Sequence, residues 1–238
     1  NNIKSIQVGS FIHLPHLAHL ILSNNPFNQL SRIDSFGSTL QFIDISNVTL
    51  TNIPSGFPHF VRNWKLIKNN ITSIMVEDFD GYPYLNSLVL DENKIDFIET
   101  DAFGRLQLLT KLWLNKNNLK EMPIDLPLSL KELSIEENQI KKIAQPSLQG
   151  LLNLERLSLR TNQIESIQTK VFSDLINLES LDLSDNKIEN LTSELFLNLT
   201  KLEILNLSKN NIRQLESGCF IDLNGLKALH LSQITTHV

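Results

Sequence analysis

Apolar and polar positions along this chain recur with a long period. Between Leu178 and Leu199 the order is Leu-x-x-Leu-x-Leu-x-x-Asn-x-Ile-x-x-Leu, followed by Phe196 and Leu199. One unit earlier Leu154, Leu157, Leu159, Asn162, Ile164, Ile167, Phe172 and Leu175 occupy the same places. One unit later Leu202, Leu205, Leu207, Asn210, Ile212, Leu215, Phe220 and Leu223 do. Counted from the first apolar residue, units start at Leu17, Leu40, Val61, Leu85, Leu109, Leu130, Leu154, Leu178, Leu202 and Leu226, at intervals of 21 to 24 residues. A unit of that length cannot bury its own apolar face and must stack on its neighbours. About ten repeats are therefore expected to form a single domain over residues 1–238.

Within a unit, apolar positions four and six flank an outward position five, the period of two that specifies a short strand. Stacking sets these strands side by side in parallel, and ten of them span roughly 45 Å. Position nine carries Asn25, Asn69, Asn93, Asn117, Asn138, Asn162, Asn186 and Asn210. An amide both donates and accepts, so a column of them can satisfy buried turn groups. Val48 stands there in the second unit, beside Asn47, and predicts a local irregularity. Position nineteen carries Phe11, Phe79, Phe103, Phe172, Phe196 and Phe220, with Leu148 as a variant, and predicts an apolar spine on the opposite side. Narrow strands against a wide spine predict a curved stack with the sheet on its concave side. The two 21-residue units share Ile53-Pro54 with Met122-Pro123, and Pro58 with Pro127. Proline fixes φ and removes a donor, so an extended, thinner back is expected in those units. Asn1 falls on position nine of a preceding unit and Val238 on position thirteen of the last, without polar caps, so the chain reads as cut in mid-array at both ends.

Composition narrows the function. Apolar content is 41%, ordinary for a folded chain. A net charge of −5 argues against a general attraction to nucleic acid or to an anionic membrane surface. No apolar run approaches the roughly 20 residues of a membrane-spanning helix, so any membrane attachment is expected through a segment absent here. Cys219 is the single cysteine, which excludes an internal disulfide framework and suits a buried structural thiol. His13, His16 and His19 recur every third residue, but no cysteine or carboxylate joins them, so no metal site is expected. No phosphate-cradling, dinucleotide, zinc-protease or nucleophile-elbow motif is present. Neither a cofactor nor catalysis is expected.

The repeat resembles the leucine-rich repeat family, in its extracellular form, over essentially the whole chain. The pattern LxxLxLxxNxIxxIxxxxFxxLxx is matched most fully in Leu85–Leu106 and Leu154–Leu223. The 24-residue unit with phenylalanine at nineteen resembles Toll-like receptor ectodomains and small leucine-rich proteoglycans. The rhythm of unit lengths from Leu40 to Leu130, with IPSGFP and LPLSLKEL, is similar to the proteoglycans, but it is not sustained afterwards. The resemblance implies an α/β leucine-rich-repeat solenoid: a right-handed stack with a concave parallel sheet and a convex side of loops and short helical turns. It also implies an extracellular, non-catalytic recognition module, part of a receptor ectodomain of innate-immune type or else a matrix-binding protein. Partners would be protein or other macromolecular ligands on the concave face or a flank, or a second ectodomain in a homo- or heterodimer.

Candidate sites follow from position in the unit. Outward positions in the N-terminal half carry Ile21, Phe42, Lys65, Ile67, Val89 and Trp113, whereas the C-terminal half carries mostly serine and charge. Apolar and aromatic residues gathered on one face mark a contact surface. Phe42, Lys65, Ile67, Val89, Lys111, Trp113 and Lys116 are the candidate binding residues, with Trp113 as anchor. Lys68, Asp91, Glu92, Lys116, Glu136, Glu137 and Arg160 alternate in charge at positions seven and eight, as a solvated ladder or as part of a charged contact. Trp64 occupies inward position four and is expected in the core. Asn47, Asn70, Asn190, Asn198 and Asn206 each open an N-x-[ST] sequon for glycosylation. A glycan on Asn206 would obstruct the C-terminal part of the concave face.

Overall fold

A computed structural model describes residues 1–27, 30 and 39–233. The expected place of Val238 lies outside the described residues. Internal contacts group the chain into two compact units, Asn1–Asn118 and Leu119–Val238.

The first unit contains β1 (His19–Ile21), β2 (Phe42–Asp44), β3 (Asn63–Lys65), β4 (Ser73–Ile74), β5 (Ser87–Val89), β6 (Phe97–Ile98) and β7 (Lys111–Trp113). Strands β1, β2, β3, β5 and β7 pair in parallel in that order. Their register aligns equal positions of successive repeats, so Leu20, Ile43, Trp64, Leu88 and Leu112 form one inward column. All five are buried, Trp64 completely. The second unit contains β8 (Glu132–Ser134), β9 (Lys142–Ile143), β10 (Arg156–Ser158), β11 (Ser166–Ile167), β12 (Ser180–Asp182), β13 (Asn190–Leu191), β14 (Ile204–Asn206), β15 (Gln214–Leu215) and β16 (Ala228–His230). Here β8, β10, β12, β14 and β16 pair in parallel, again with equal positions aligned. Each unit is a stack of coils of the leucine-rich-repeat type.

The asparagine column acts as the sequence predicts. Asn186 donates through Nδ2 to the carbonyls of Leu159, Leu183 and Ser184, and its Oδ1 accepts the Ile164 N–H. Asn69, Asn93, Asn162 and Asn210 make the same three donations, each reaching back to the preceding coil. Val48 breaks the column chemically, and the expected irregularity follows in the backbone: Thr49 takes a left-handed φ of 68° and gives its hydroxyl to the Phe27 carbonyl. Val48 is fully buried, and its own N–H donates to Asn69 Oδ1. The preceding coil absorbs the missing amide: Phe27 N–H turns to the Asn25 carbonyl instead.

On the other side of the coils, Phe79 stacks on Phe103, and Phe172, Phe196 and Phe220 stack in series at 6.1–6.2 Å. The 21-residue coils bury Phe57 and Leu126 at position eighteen, one place before the phenylalanine position of the longer coils. The back carries short parallel pairs, β4 with β6, β9 with β11 and β13 with β15, all in 24-residue coils. Those coils continue the pairing with a donation from position fifteen, as Glu99 N–H gives to Ile74 and Gln168 N–H to Ile143. In the 21-residue coils position fifteen is Pro54 or Pro123, which has no N–H to give. The helical turns expected on this side come down to one 3-10 turn among the described residues, Val76–Phe79. Trp64 packs among Phe57, Phe79 and Tyr82, and its buried Nε1 has no hydrogen-bond partner among the described residues.

Candidate functional site

The sheet face turned away from the core is built by positions three, five, seven and eight of each coil. In the first unit, register places Lys65, Val89 and Trp113 side by side at position five. Lys65 Nζ lies 5.7 Å from the centroid of the Phe42 ring, and Lys111 Nζ lies 4.8 Å from that of Trp113. Both are cation–π distances. The lysine ammonium groups thus sit over aromatic rings, which restrains both partners. Phe42, Lys65, Ile67, Lys111 and Trp113 are half-buried, and Lys116 is exposed in the turn that follows β7.

Val89 departs from the expectation of an exposed contact residue, with only 5% of its surface accessible. It stands in register between the longer Lys65 and Trp113, which leave a short β-branched side chain little contact with solvent. Its place is beneath the surface as packing. Two features of this side were not anticipated. His19, considered above only as a metal ligand, lies 5.5 Å from the Phe42 ring and extends the aromatic group by one coil. Phe60 and Tyr84 stack at 5.6 Å and 13°, and with Leu108 they are exposed in the position just before the first apolar residue of a coil. The signal was available, since all three precede Val61, Leu85 or Leu109.

The second unit presents a polar network on the same positions. Ser158 Oγ donates to Glu136, Ser184 donates to Asp182 through both N–H and Oγ, and Asn206 Nδ2 donates to Asp182 Oδ2. The charges at positions seven and eight are spent partly in this way, Asp91 accepting the Asn115 N–H through Oδ1. Ion pairs also join successive coils along other rows, such as Lys131 with Glu155 and Lys227 with Glu203. The lysines of these pairs are exposed, and each pair contributes little to stability.

The sequons differ in setting. Asn47, Asn190 and Asn198 are exposed, whereas Asn70 and Asn206 are half-buried. Asn206 is held on both amide atoms, by Asp182 and by the Ser208 N–H. Cys219 is buried, and burial raises its thiol pKa above the usual value. Among the described residues no group of three or more His, Cys, Asp or Glu is placed to hold a metal ion, and no helix is long and apolar enough to cross a membrane.

Comparison with known proteins adds to this geometry. The leucine rich repeat family profile matches residues 61–119, 129–188 and 176–233. Podocan of Mus musculus is 31% identical over 157 residues, which cover 63% of this chain and 26% of podocan. Toll-like receptor 8 of Homo sapiens is 31% identical over 174 residues, covering 64% of this chain and 17% of the receptor. The chain therefore spans a minor part of either relative. The solved Toll–Spatzle complex, described as a hub in Drosophila development and innate immunity, contains a chain that superposes with a TM-score of 0.88 at 26% identity, over 97% of this chain and 32% of that one. The coils, their asparagine column and these matches together place the chain in the leucine-rich repeat family.

Proposed function

We propose that the chain is a non-catalytic extracellular recognition module, part of a receptor ectodomain, that binds a protein partner through the strand face of its first unit. The observation that carries this reading is the pairing of Lys65 with Phe42 and Lys111 with Trp113 on that face. Aromatic rings are among the residue types that dominate protein interfaces, and their restraint by the lysines lowers the entropy cost of binding. Phe42, Lys65, Ile67, Lys111, Trp113 and Lys116 form the contact, Val89 supports it from below, and His19 extends it. The similarity to Toll-like receptor 8, and to a chain of the complex between Toll and Spatzle, supports a receptor role. The similarity to podocan supports the second reading, a matrix-binding protein of proteoglycan type.

The test uses the chain as a secreted bait against secreted and cell-surface proteins, followed by affinity measurement on the partner captured. Trp113→Ala should weaken binding about tenfold, or about 1.4 kcal/mol. A change below about 0.5 kcal/mol contradicts the assignment of Trp113 as a hot spot.

A further inference from the structure

A cleft of about 500 Å³ opens on the flank of the second unit, lined by Lys120, Glu121, Gln139, Lys141, Lys142 and Gln163. It lies at positions ten to thirteen of three successive coils, where the chain leaves the asparagine turn for the back. Its frame is fixed by the backbone. Gln139 N–H donates to the Leu119 carbonyl, Gln163 N–H to Ile140, and Glu165 N–H to Lys141. Lys142 sits in β9, paired with β11, over a buried Ile143. The side chains thus project from a rigid base.

Several lysines elsewhere in the unit are paired with carboxylates. Lys131, Lys170, Lys187 and Lys227 each face a glutamate within 4 Å. Lys120, Lys141 and Lys142 make no side-chain hydrogen bond or ion pair among the described residues. Three ammonium groups share the cleft with a single carboxylate, Glu121, in a chain whose net charge is −5. Like charges held together without partners create a local positive potential that attracts a multivalent anion.

We propose that this cleft binds a sulfated polysaccharide. Lys120 and Lys141 stand one coil step apart, roughly 5 Å, a spacing suited to charges distributed along a sugar chain. Gln139 and Gln163 offer amides that both donate and accept, matching sugar hydroxyls. No aromatic residue lines the cleft, so it lacks the stacking platform that single-stranded nucleic acid requires. The site is independent of the strand face of the first unit.

The test measures binding of a heparin-derived hexasaccharide by titration calorimetry at two salt concentrations. The combined Lys120→Ala, Lys141→Ala and Lys142→Ala variant should lose affinity about tenfold or more, and binding by the unaltered chain should weaken as salt rises. A control with the same charge change, Lys170→Ala, Lys187→Ala and Lys227→Ala, should bind within about twofold of the unaltered chain, because those charges are already neutralised by glutamates. All six positions are exposed, so circular dichroism should report an unchanged fold for both variants. Equal loss in the two variants, or no binding by the unaltered chain, overturns the site. Equal binding of a desulfated hexasaccharide, or of a single-stranded DNA of the same charge, overturns the choice of ligand.

Discussion

Position eight of the first nine coils adopts the left-handed backbone region: Asn24, Asn47, Lys68, Glu92, Lys116, Glu137, Thr161, Asp185 and Lys209 all have φ between 52° and 59°. None is glycine, the residue that takes this conformation without a steric cost. Lys209 is exposed at φ 55°, so Lys209→Gly should raise stability by about 0.5–1 kcal/mol, and Lys209→Val should lower it by at least about 1 kcal/mol. Urea unfolding checks both, and a destabilised glycine variant contradicts the strain. Asn24, Asn47 and Asp185 are residue types that tolerate this conformation, but the Lys, Glu and Thr at the other six positions do not announce it. The turn is imposed by the coils on either side. Asp78 offers a pH test. Burial holds its carboxyl above the ordinary value, against the lowering effect of the Met75 N–H, with Glu77 and Glu99 adding to the rise. A raised folded pKa means the proton is bound more tightly in the folded state. That contribution is present below the unfolded pKa and is lost as pH rises through the folded one. Asp78→Asn keeps an acceptor for Met75 and should raise the urea midpoint at neutral pH, with the difference fading as the pH falls below that of the unfolded carboxyl. An unchanged midpoint at neutral pH contradicts it.

Among elements, the asparagine column binds coil to coil while the leucines supply the burial. Asn186→Ala leaves the Ile164 N–H without a partner, while the Leu159, Leu183 and Ser184 carbonyls keep donations from Asn162, Asn210 and the Thr161 N–H. The substitution should cost about 1–3 kcal/mol in urea unfolding. A loss below about 1 kcal/mol would show that water takes over the amide's role. Val48 shows how such a gap is tolerated, since Phe27 finds a backbone acceptor in its own turn. The leucine, asparagine and phenylalanine columns were legible because each recurs at one position and each has one physical role. The buried back residue of the short coils was not legible: Phe57 and Leu126 are buried at position eighteen rather than nineteen, in coils three residues shorter. The burial of Val89 was hidden for another reason. Pattern gives the direction a side chain takes, whereas its exposure depends on the lengths of Lys65 and Trp113 beside it.

For the whole molecule, each unit sets a strand face against a back and a flank, and the proposals divide among these surfaces. If the chain passes through the secretory pathway, glycans should occupy the exposed Asn47, Asn190 and Asn198 more fully than the half-buried Asn70 and Asn206. Glycopeptide mass spectrometry of secreted protein checks this, and full occupancy of Asn206 contradicts it, because that side chain is half-buried within its strand. The strand face of the first unit carries the functional reading, and a glycan placed there tests it without disturbing the core. Lys65→Asn with Ile67→Thr creates a sequon on that face around the buried Leu66. The secreted, glycosylated double variant should lose binding to the captured partner by about a hundredfold or more. Binding within about twofold of the unaltered chain, with the glycan shown to be present, would place recognition elsewhere.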